Sequence, residues 1–237
     1  MFNIKNTLII CVSLLVAIGC KSMPSQNPAA KDSSVLAVEM NVKQFFGSQI
    51  ASRVYVVRID KKVNPSQSLI VKTPTIASNW ANRGIVYYLN VEPGEYAVVA
   101  MEYEVEQPPQ QTSSTTSGNV TVTTSSGGGK TVYTVITSAE VAEKSKTKVG
   151  VGQIGYMGRF LIDTNKDYET ADEIQKHYAN ILRPNMLSNT GMFGKLVAVD
   201  LLGTLVSHKK DEETIKEFNE DAKKSFAETP WSYLTEK

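Results

Sequence analysis

Residues 96–105 place Ala97, Val99, Met101, Tyr103 and Val105 at every second position, while the intervening positions pass from Tyr96 and Val98 to Glu102 and Glu104. A side-chain period of two belongs to a β-strand, whose successive Cβ atoms point to opposite faces, so the odd set is expected to face a core. Residues 53–60 read the same way: Tyr55, Val57 and Ile59 share one face and the other ends in Arg58 and Asp60. Further short segments rich in Val, Ile, Tyr and Thr lie at 35–42, 68–72, 84–91, 131–141 and 149–162. Short apolar segments separated by turn residues describe a sandwich or a barrel. The turn Glu92-Pro93-Gly94-Glu95 sets Pro where a φ of about −65° is needed and Gly where φ is positive, which is type II chemistry. It is expected to join its two flanking strands as a hairpin.

Beyond Ile162 the period changes. Thr170 and Glu173 have the spacing of a capping box, and Ala171, Ile174, Tyr178, Ile181 and Leu182 recur at helical spacing until Arg183 and Pro184. Residues 192–206 are apolar nearly all round except for Lys195 and Asp200, a run too short for a bilayer core of about 30 Å, which favours a buried helix over membrane contact. A third helix at 212–227 places Ile215, Phe218, Ala222 and Phe226 on one stripe, and Pro230 and Trp231 close the chain's packing. The expected fold class is therefore mainly β with C-terminal helices (α+β). In it, an antiparallel β-sandwich at 35–163 carries two or three α-helices from 164–237 packed against it.

Composition bounds the function. Lys+Arg number 25 against 24 Asp+Glu, a formal charge of +1, and 41% of residues are hydrophobic. Such a chain buries too much to be disordered and lacks the basic surplus of a nucleic-acid binder. Two cysteines cannot staple a disulfide scaffold. Residues 106–130 turn to Gln, Pro, Thr, Ser and Gly127-Gly128-Gly129, with little to bury. They read as a mobile excursion, either an unstructured insertion or a contact loop, in which Val120 and Val122 could form a small hairpin.

The N-terminus carries Lys5, an apolar run over residues 8–18, and then Gly19 and Cys20. About eleven residues at ~1.5 Å rise span only about 17 Å, so an export signal fits better than a transmembrane helix. The stretch Leu15-Val16-Ala17-Ile18-Gly19-Cys20 resembles a bacterial lipobox, of the relaxed kind found in spirochaete-type outer-membrane lipoproteins. The resemblance implies that residues 1–19 are removed, taking Cys11 with them. Cys20 would receive a diacylglyceryl group, and the new amine would be acylated. It also implies the outer membrane, since Lys21 stands where an enteric retention signal places Asp. Residues 20–34, with Pro24 and Pro28, then read as a flexible tether. Separately, the string Leu89-Asn90-Val91-Glu92-Pro93-Gly94-Glu95-Tyr96-Ala97-Val98 resembles an edge found in immunoglobulin-like and transthyretin-like accessory domains of envelope proteins.

Four constellations bear on chemistry. Gly150, Gly152 and Gly155 match G-x-G-x-x-G, yet a lysine-rich segment precedes them and a strand-like segment follows, so glycine-rich turn or strand positions are the better reading. Asp163, Asn165, Asp167 and Glu169 place oxygen ligands at alternate positions, which suits either a polar strand-to-helix turn or a weak Ca²⁺ site. Tyr168 and Ile174 stand where an EF-hand needs Gly and Glu. Glu173 and His177 share a helix face with Asp172 adjacent, a spacing that any solvated helix also shows. Finally, Glu92, Glu95, Glu102, Glu104 and Glu106 form an acidic stripe that Lys144, Lys146 and Lys148 would offset if the segments were neighbours.

No catalytic group is assigned. The expected role is non-enzymatic binding or scaffolding by a lipid-anchored envelope protein. Its membrane partner is reached through Cys20, a protein or host macromolecule is its possible second partner, and no cofactor is expected beyond the Ca²⁺ alternative. The competing reading is an envelope enzyme or Ca²⁺-dependent protein using residues 163–169.

Overall fold

The computed structural model describes residues 23–25, 33–44, 47–59, 74–106, 113–117, 120–124, 130–166, 168–187 and 197–236. Cys20 with the whole leader, the expected strand at 68–72, Asp167, and residues 192–196 of the expected second C-terminal helix lie outside these. In chain order the strands are β1 (Ser34–Lys43), β2 (Ser48–Ile50), β3 (Arg53–Arg58), β4 (Ile76–Ala77), β5 (Trp80–Asn82), β6 (Ile85–Val91) and β7 (Gly94–Glu106). After them come β8 (Ser113–Ser117), β9 (Val120–Thr124), β10 (Lys130–Thr137), helix α1 (Ala139–Ser145), β11 (Thr147–Val149) and β12 (Ile154–Lys166). Helix α2 (Glu173–Leu187), β13 (Val197–Lys209) and helix α3 (Glu212–Phe226) complete the order.

Eleven strands form one sheet in the order β4-β3-β7-β10-β13-β12-β1-β6-β5, with β2 added to β1 and β11 to β7. The pairs β1/β12 and β10/β13 are parallel and the others antiparallel. The α+β class is as expected, but the β part is one curled mixed sheet where an antiparallel sandwich was expected. The small β8/β9 pair within the excursion is a hairpin separate from this sheet.

The turn at Glu92-Pro93 forces the curl. Strands β6 and β7 are consecutive in the chain, yet β10, β13, β12 and β1 stand between them in the sheet. Flat, five strand spacings of about 4.8 Å would separate them by about 24 Å. Three Cα–Cα steps of about 3.8 Å reach only about 11 Å, which matches the ~10 Å between packed sheet faces. The sheet therefore folds back on itself, and the exposed turn joins its two walls as an arch. The expected hairpin is corrected accordingly: local turn chemistry is the same for a hairpin and an arch, and only the pairing of β6 with β1 decides between them.

Three apolar layers follow. Inside the curl, Leu36, Val38 and Met40 of β1 meet Val54 and Val56 of β3, Val86 and Tyr88 of β6, Val98 and Met101 of β7, and Phe160 and Ile162 of β12. Outside one wall, Val57, Ala97, Val99, Ile136 and Leu202 pack under Ile174, Tyr178 and Leu182 of α2. Outside the other, Val35, Ala37, Ile85 and Tyr87 pack under Phe218, Ala222 and Phe226 of α3, with Trp231 beside them. Each fully buried Phe contributes about 1.5–3 kcal/mol.

Several local expectations are revised by this layering. A register shift opposite Tyr55 and Val56 inserts an extra residue in β7, so Ala97 and Val99 face the helices while Met101 and Tyr103 face the interior. Residues 197–206, expected within a helix, form the central strand β13; a short apolar run looks the same whether it is a buried strand or a buried helix, and β13 is flanked by β10 and β12. The strand expected at 131–141 ends at Thr137 and continues as α1. Helix α2 continues past Pro184 to Leu187. Its capping box lies two residues beyond the expected one: Gln175 N donates to Asp172 Oδ1 (2.9 Å) and Asp172 N donates to Gln175 Oε1 (3.2 Å).

Candidate functional site

Of the four expected metal ligands, Asp163, Asn165 and Glu169 lie among the described residues. Asp163 and Asn165 belong to the extended β12, where Asp163 lies opposite Thr204 of β13, and Glu169 sits exposed in a single 3₁₀ turn at Tyr168–Thr170. Among the described residues no cluster of three or more His, Cys, Asp or Glu side chains is placed to hold a metal. His177 on α2 sets its ring edge-on to Tyr178 at 4.9 Å and buries Nε2 with no hydrogen-bond partner, while Glu173 points to solvent. Asp172 acts structurally: its Oδ2 accepts from Ala139 N (2.9 Å), tying the start of α1 to the start of α2.

The acidic stripe is balanced in part by one of the three expected lysines and in part by arginines. In the β7/β11 ladder Lys148 lies opposite Glu95. Elsewhere Glu102 accepts from Tyr55 Oη (2.6 Å) and pairs with Arg53 (3.4 Å), and Glu92 pairs with Arg58. Burial first, and then the hydrogen bond to Glu102, push the Tyr55 hydroxyl up to about 12. Lys146 pairs with Glu143 on α1 (2.7 Å), away from the stripe.

The glycine motif forms the turn from β11 into β12, followed by a strand as expected. Gly152 has φ +60°, and a Cβ at Gly155 would come within 3.2 Å of Val149 and 3.3 Å of Leu36, so a side chain there would require these neighbours to give by a few tenths of an ångström. This turn is also the rim of a groove of ≈580 Å³ between the start of β12 and one side of α3. Gln153, Lys210, Asn219 and Thr235 supply its polar groups, and Ile154, Ile215 and Leu234 part of its apolar wall. Ile215, expected in the helix's buried stripe, is 37% exposed here.

A charged network fixes this wall. Tyr156 stacks on Phe218 with ring centroids 4.0 Å apart. Its hydroxyl donates to Glu39 Oε1 (2.7 Å), and Arg159 Nε donates to Glu39 Oε2 (2.7 Å) while its Nη2 donates to Glu217 Oε2 (3.0 Å) on α3. Burial, then the bond to Glu39, holds the Tyr156 hydroxyl well above the usual phenol range. The Lys210 ammonium donates to Thr147 Oγ1 (3.1 Å), and its partial burial lowers its pKa. Asp211 begins α3, its carboxylate accepting from Thr214 N (2.9 Å) and Oγ1 (2.7 Å). No sequence signal marked Gln153, Lys210, Asn219 or Thr235, because they come from four separate stretches and only the curl assembles them.

The segment read as tether is seated where it is described. Met23 packs against the layer beneath α3, Trp231 Nε1 donates to the Pro24 carbonyl (3.1 Å), and Asn90 Nδ2 donates to the Ser25 carbonyl (3.0 Å). Among the described residues no helix is long and apolar enough to cross a membrane.

No protein family and no curated protein matches the chain. Among solved structures, the chain is similar to a crystallised Pseudomonas aeruginosa protein provisionally described as carbohydrate-binding. The identity is 14%, the match covers 48% of this chain and 91% of that one, and the TM-score is 0.18, a likeness too slight to bear on function.

Proposed function

We propose that this chain is a lipid-anchored protein of the bacterial outer membrane that acts by binding. The anchor is Cys20, acylated after removal of residues 1–19, as the lipobox resemblance implies. Two or three acyl chains make a stable attachment, each buried CH₂ contributing about 0.8 kcal/mol. The observation that carries the binding role is the chemistry of the groove beside α3. Its lining offers amide, hydroxyl and ammonium groups over an apolar wall, and its eleven residues include no carboxylate, imidazole or thiol. Such a lining suits holding a small polar ligand, with hydrogen bonds setting orientation and the apolar wall supplying contact. Its titratable groups are the Lys210 ammonium and the Tyr156 hydroxyl, the latter donating to Glu39.

The anchor is tested by feeding labelled palmitate to expressing cells: incorporation into the native chain and its loss in Cys20→Ala support the proposal, and equal labelling of both contradicts it. The groove is tested by thermal shift against monosaccharides, amino sugars and short peptides. Stabilisation that is lost in Asn219→Ala supports binding there. Conversion of any probe to a product at a rate that Asn219→Ala or Gln153→Ala abolishes would contradict a purely binding role.

A further inference from the structure

We infer that the end of the sheet carrying Val151 faces the bilayer, with the β11/β12 turn at the lipid headgroups, and that Glu106 and Lys130, the base of the 106–130 excursion, lie at the end away from the membrane. The inference rests on the acylation of Cys20 proposed above and adds an orientation to it.

Leash length is the first argument. If residues 20–34 were free, the domain could drift about 50 Å from the bilayer at ~3.3–3.6 Å per residue. With Met23, Pro24 and Ser25 seated against the domain, only Lys21 and Ser22 separate the acylated residue from a fixed point. Three residue steps reach about 10 Å. Trp231, which holds Pro24, is fully buried (0% exposed), so the fixed point belongs to the core and not to a loose surface strand.

The seat also identifies which end is held. Asn90, which holds Ser25, accepts from Ser33 Oγ (3.1 Å), and Tyr233 donates to the Ser33 carbonyl (3.2 Å). Next along the chain, Ser34 Oγ donates to the Gly150 carbonyl (2.7 Å) and Val35 N to the Gln153 carbonyl (2.9 Å). The tether seat, the start of β1 and the 150–153 turn are thus one contiguous end.

What this end presents suits a membrane surface. Val151 is 55% exposed between two glycines, and nothing lies within 4 Å of a Cβ built on Gly152. A single exposed valine is ordinary on a soluble face; here it is the apolar tip of a turn within leash reach of lipid. Lys148 and Lys210 are exposed at the same end, Lys148 opposite Glu95 and Lys210 donating to Thr147 Oγ1. The acids there are Glu92, paired with Arg58, Glu95, opposite Lys148, and the exposed Asp211, Glu212, Glu213 and Glu236, so the charge at this end is mixed and the short leash and Val151 carry the orientation.

The opposite end follows from strand direction. Strand β7 starts at Gly94 beside the seat and runs 13 residues to Glu106, which pairs with Lys130 of β10. At ~3.3 Å per residue its far end stands up to about 40 Å from its start. Residues 106 and 130 are the base of the excursion, so that segment leaves the domain at the end remote from the leash.

The test uses the full acylated chain in vesicles of phosphatidylcholine and phosphatidylglycerol, with single labelling cysteines at Val151→Cys or Glu106→Cys, both exposed positions. An environment-sensitive fluorophore is read against a headgroup-nitroxide quencher, and flotation with the vesicles is read on the same samples. Flotation with quenching several-fold stronger at 151 than at 106 is the expected result. Flotation with equal quenching, or stronger quenching at 106, overturns the orientation while the anchor stands. Failure to float removes the anchor, and the orientation with it.

Discussion

Gln175→Leu should destabilise the chain by more than its single side chain suggests. Gln175 is fully buried (0% exposed) at the start of α2. Its Nε2 donates to the carbonyls of Ile136 (3.3 Å) in β10 and Gly203 (3.1 Å) in β13, and its Oε1 accepts from Asp172 N (3.2 Å). One amide therefore ties the helix to two central strands. Leucine keeps most of the volume and loses all three bonds, each worth about 0.5–1.5 kcal/mol net, with a further penalty wherever a buried group is left alone. The Gly203 carbonyl still accepts from Ser138 N (2.9 Å), which limits that penalty. The expected loss is about 2–4 kcal/mol, or about 4–16 °C in Tm for a chain of this size. Urea unfolding followed by circular dichroism measures it. Gln175→Glu adds a sign check. Burial facing two carbonyls raises the folded-state pKa of the new carboxyl, so its stability deficit should grow as pH rises from the ordinary Glu value of about 4.3 towards neutrality. A Leu variant within about 0.5 kcal/mol of the parent, or a Glu variant whose deficit does not change with pH, would refute the assignment of this amide as a tie between layers.

Three further outcomes are expected. Gly158→Ala meets a φ of +114° and a Cβ that runs into His208 Nε2 and lies 2.9 Å from the Lys209 carbonyl, so a loss of about 2–4 kcal/mol is expected by thermal unfolding. Tyr55, Tyr87, Tyr88, Tyr96, Tyr103 and Tyr156 all have hydroxyls raised above the ordinary value of 10.0, burial being the first cause in each. Their stabilising contribution is complete below pH 10 and lost above it, because the unfolded chain ionises first; tyrosinate absorbance should lag and then rise together with loss of circular dichroism, whereas smooth titration near pH 10 without unfolding would contradict it. Burial against Phe160 lowers the His208 pKa below 6.5, so stability should fall as pH drops from 6.5 towards the folded value, and His208→Asn should flatten that slope in acid titrations of Tm.

Much of the fold is legible where one signal decides one thing. The stripe Phe218, Ala222 and Phe226 defines α3, and the period of two at Met101, Tyr103 and Val105 assigns the inner face of β7. Legibility ends where a choice is made by distant residues. The inner and outer faces of Ala97 and Val99 exchange because of a bulge that only the partner strand β3 reveals. Residues 197–206 carry apolar groups at odd and even positions alike, so no period separates strand from helix until the pairing with β10 and β12 decides it. The Glu92-Pro93 turn carries the same residues for an arch as for a hairpin. The groove was hidden for a related reason: the Gly150 to Gly155 motif marked its rim, but the polar groups come from β12, the end of β13, α3 and the C-terminal turn, with no common spacing.

The anchor at Cys20 is tested most directly by intact-mass spectrometry of the protein extracted in detergent from its own membranes. The expected mass corresponds to a chain beginning at Cys20 and carrying a diacylglyceryl thioether with an acylated amine. A mass that retains residues 1–19, or one with a free thiol at residue 20, would contradict the anchor and the orientation derived from it.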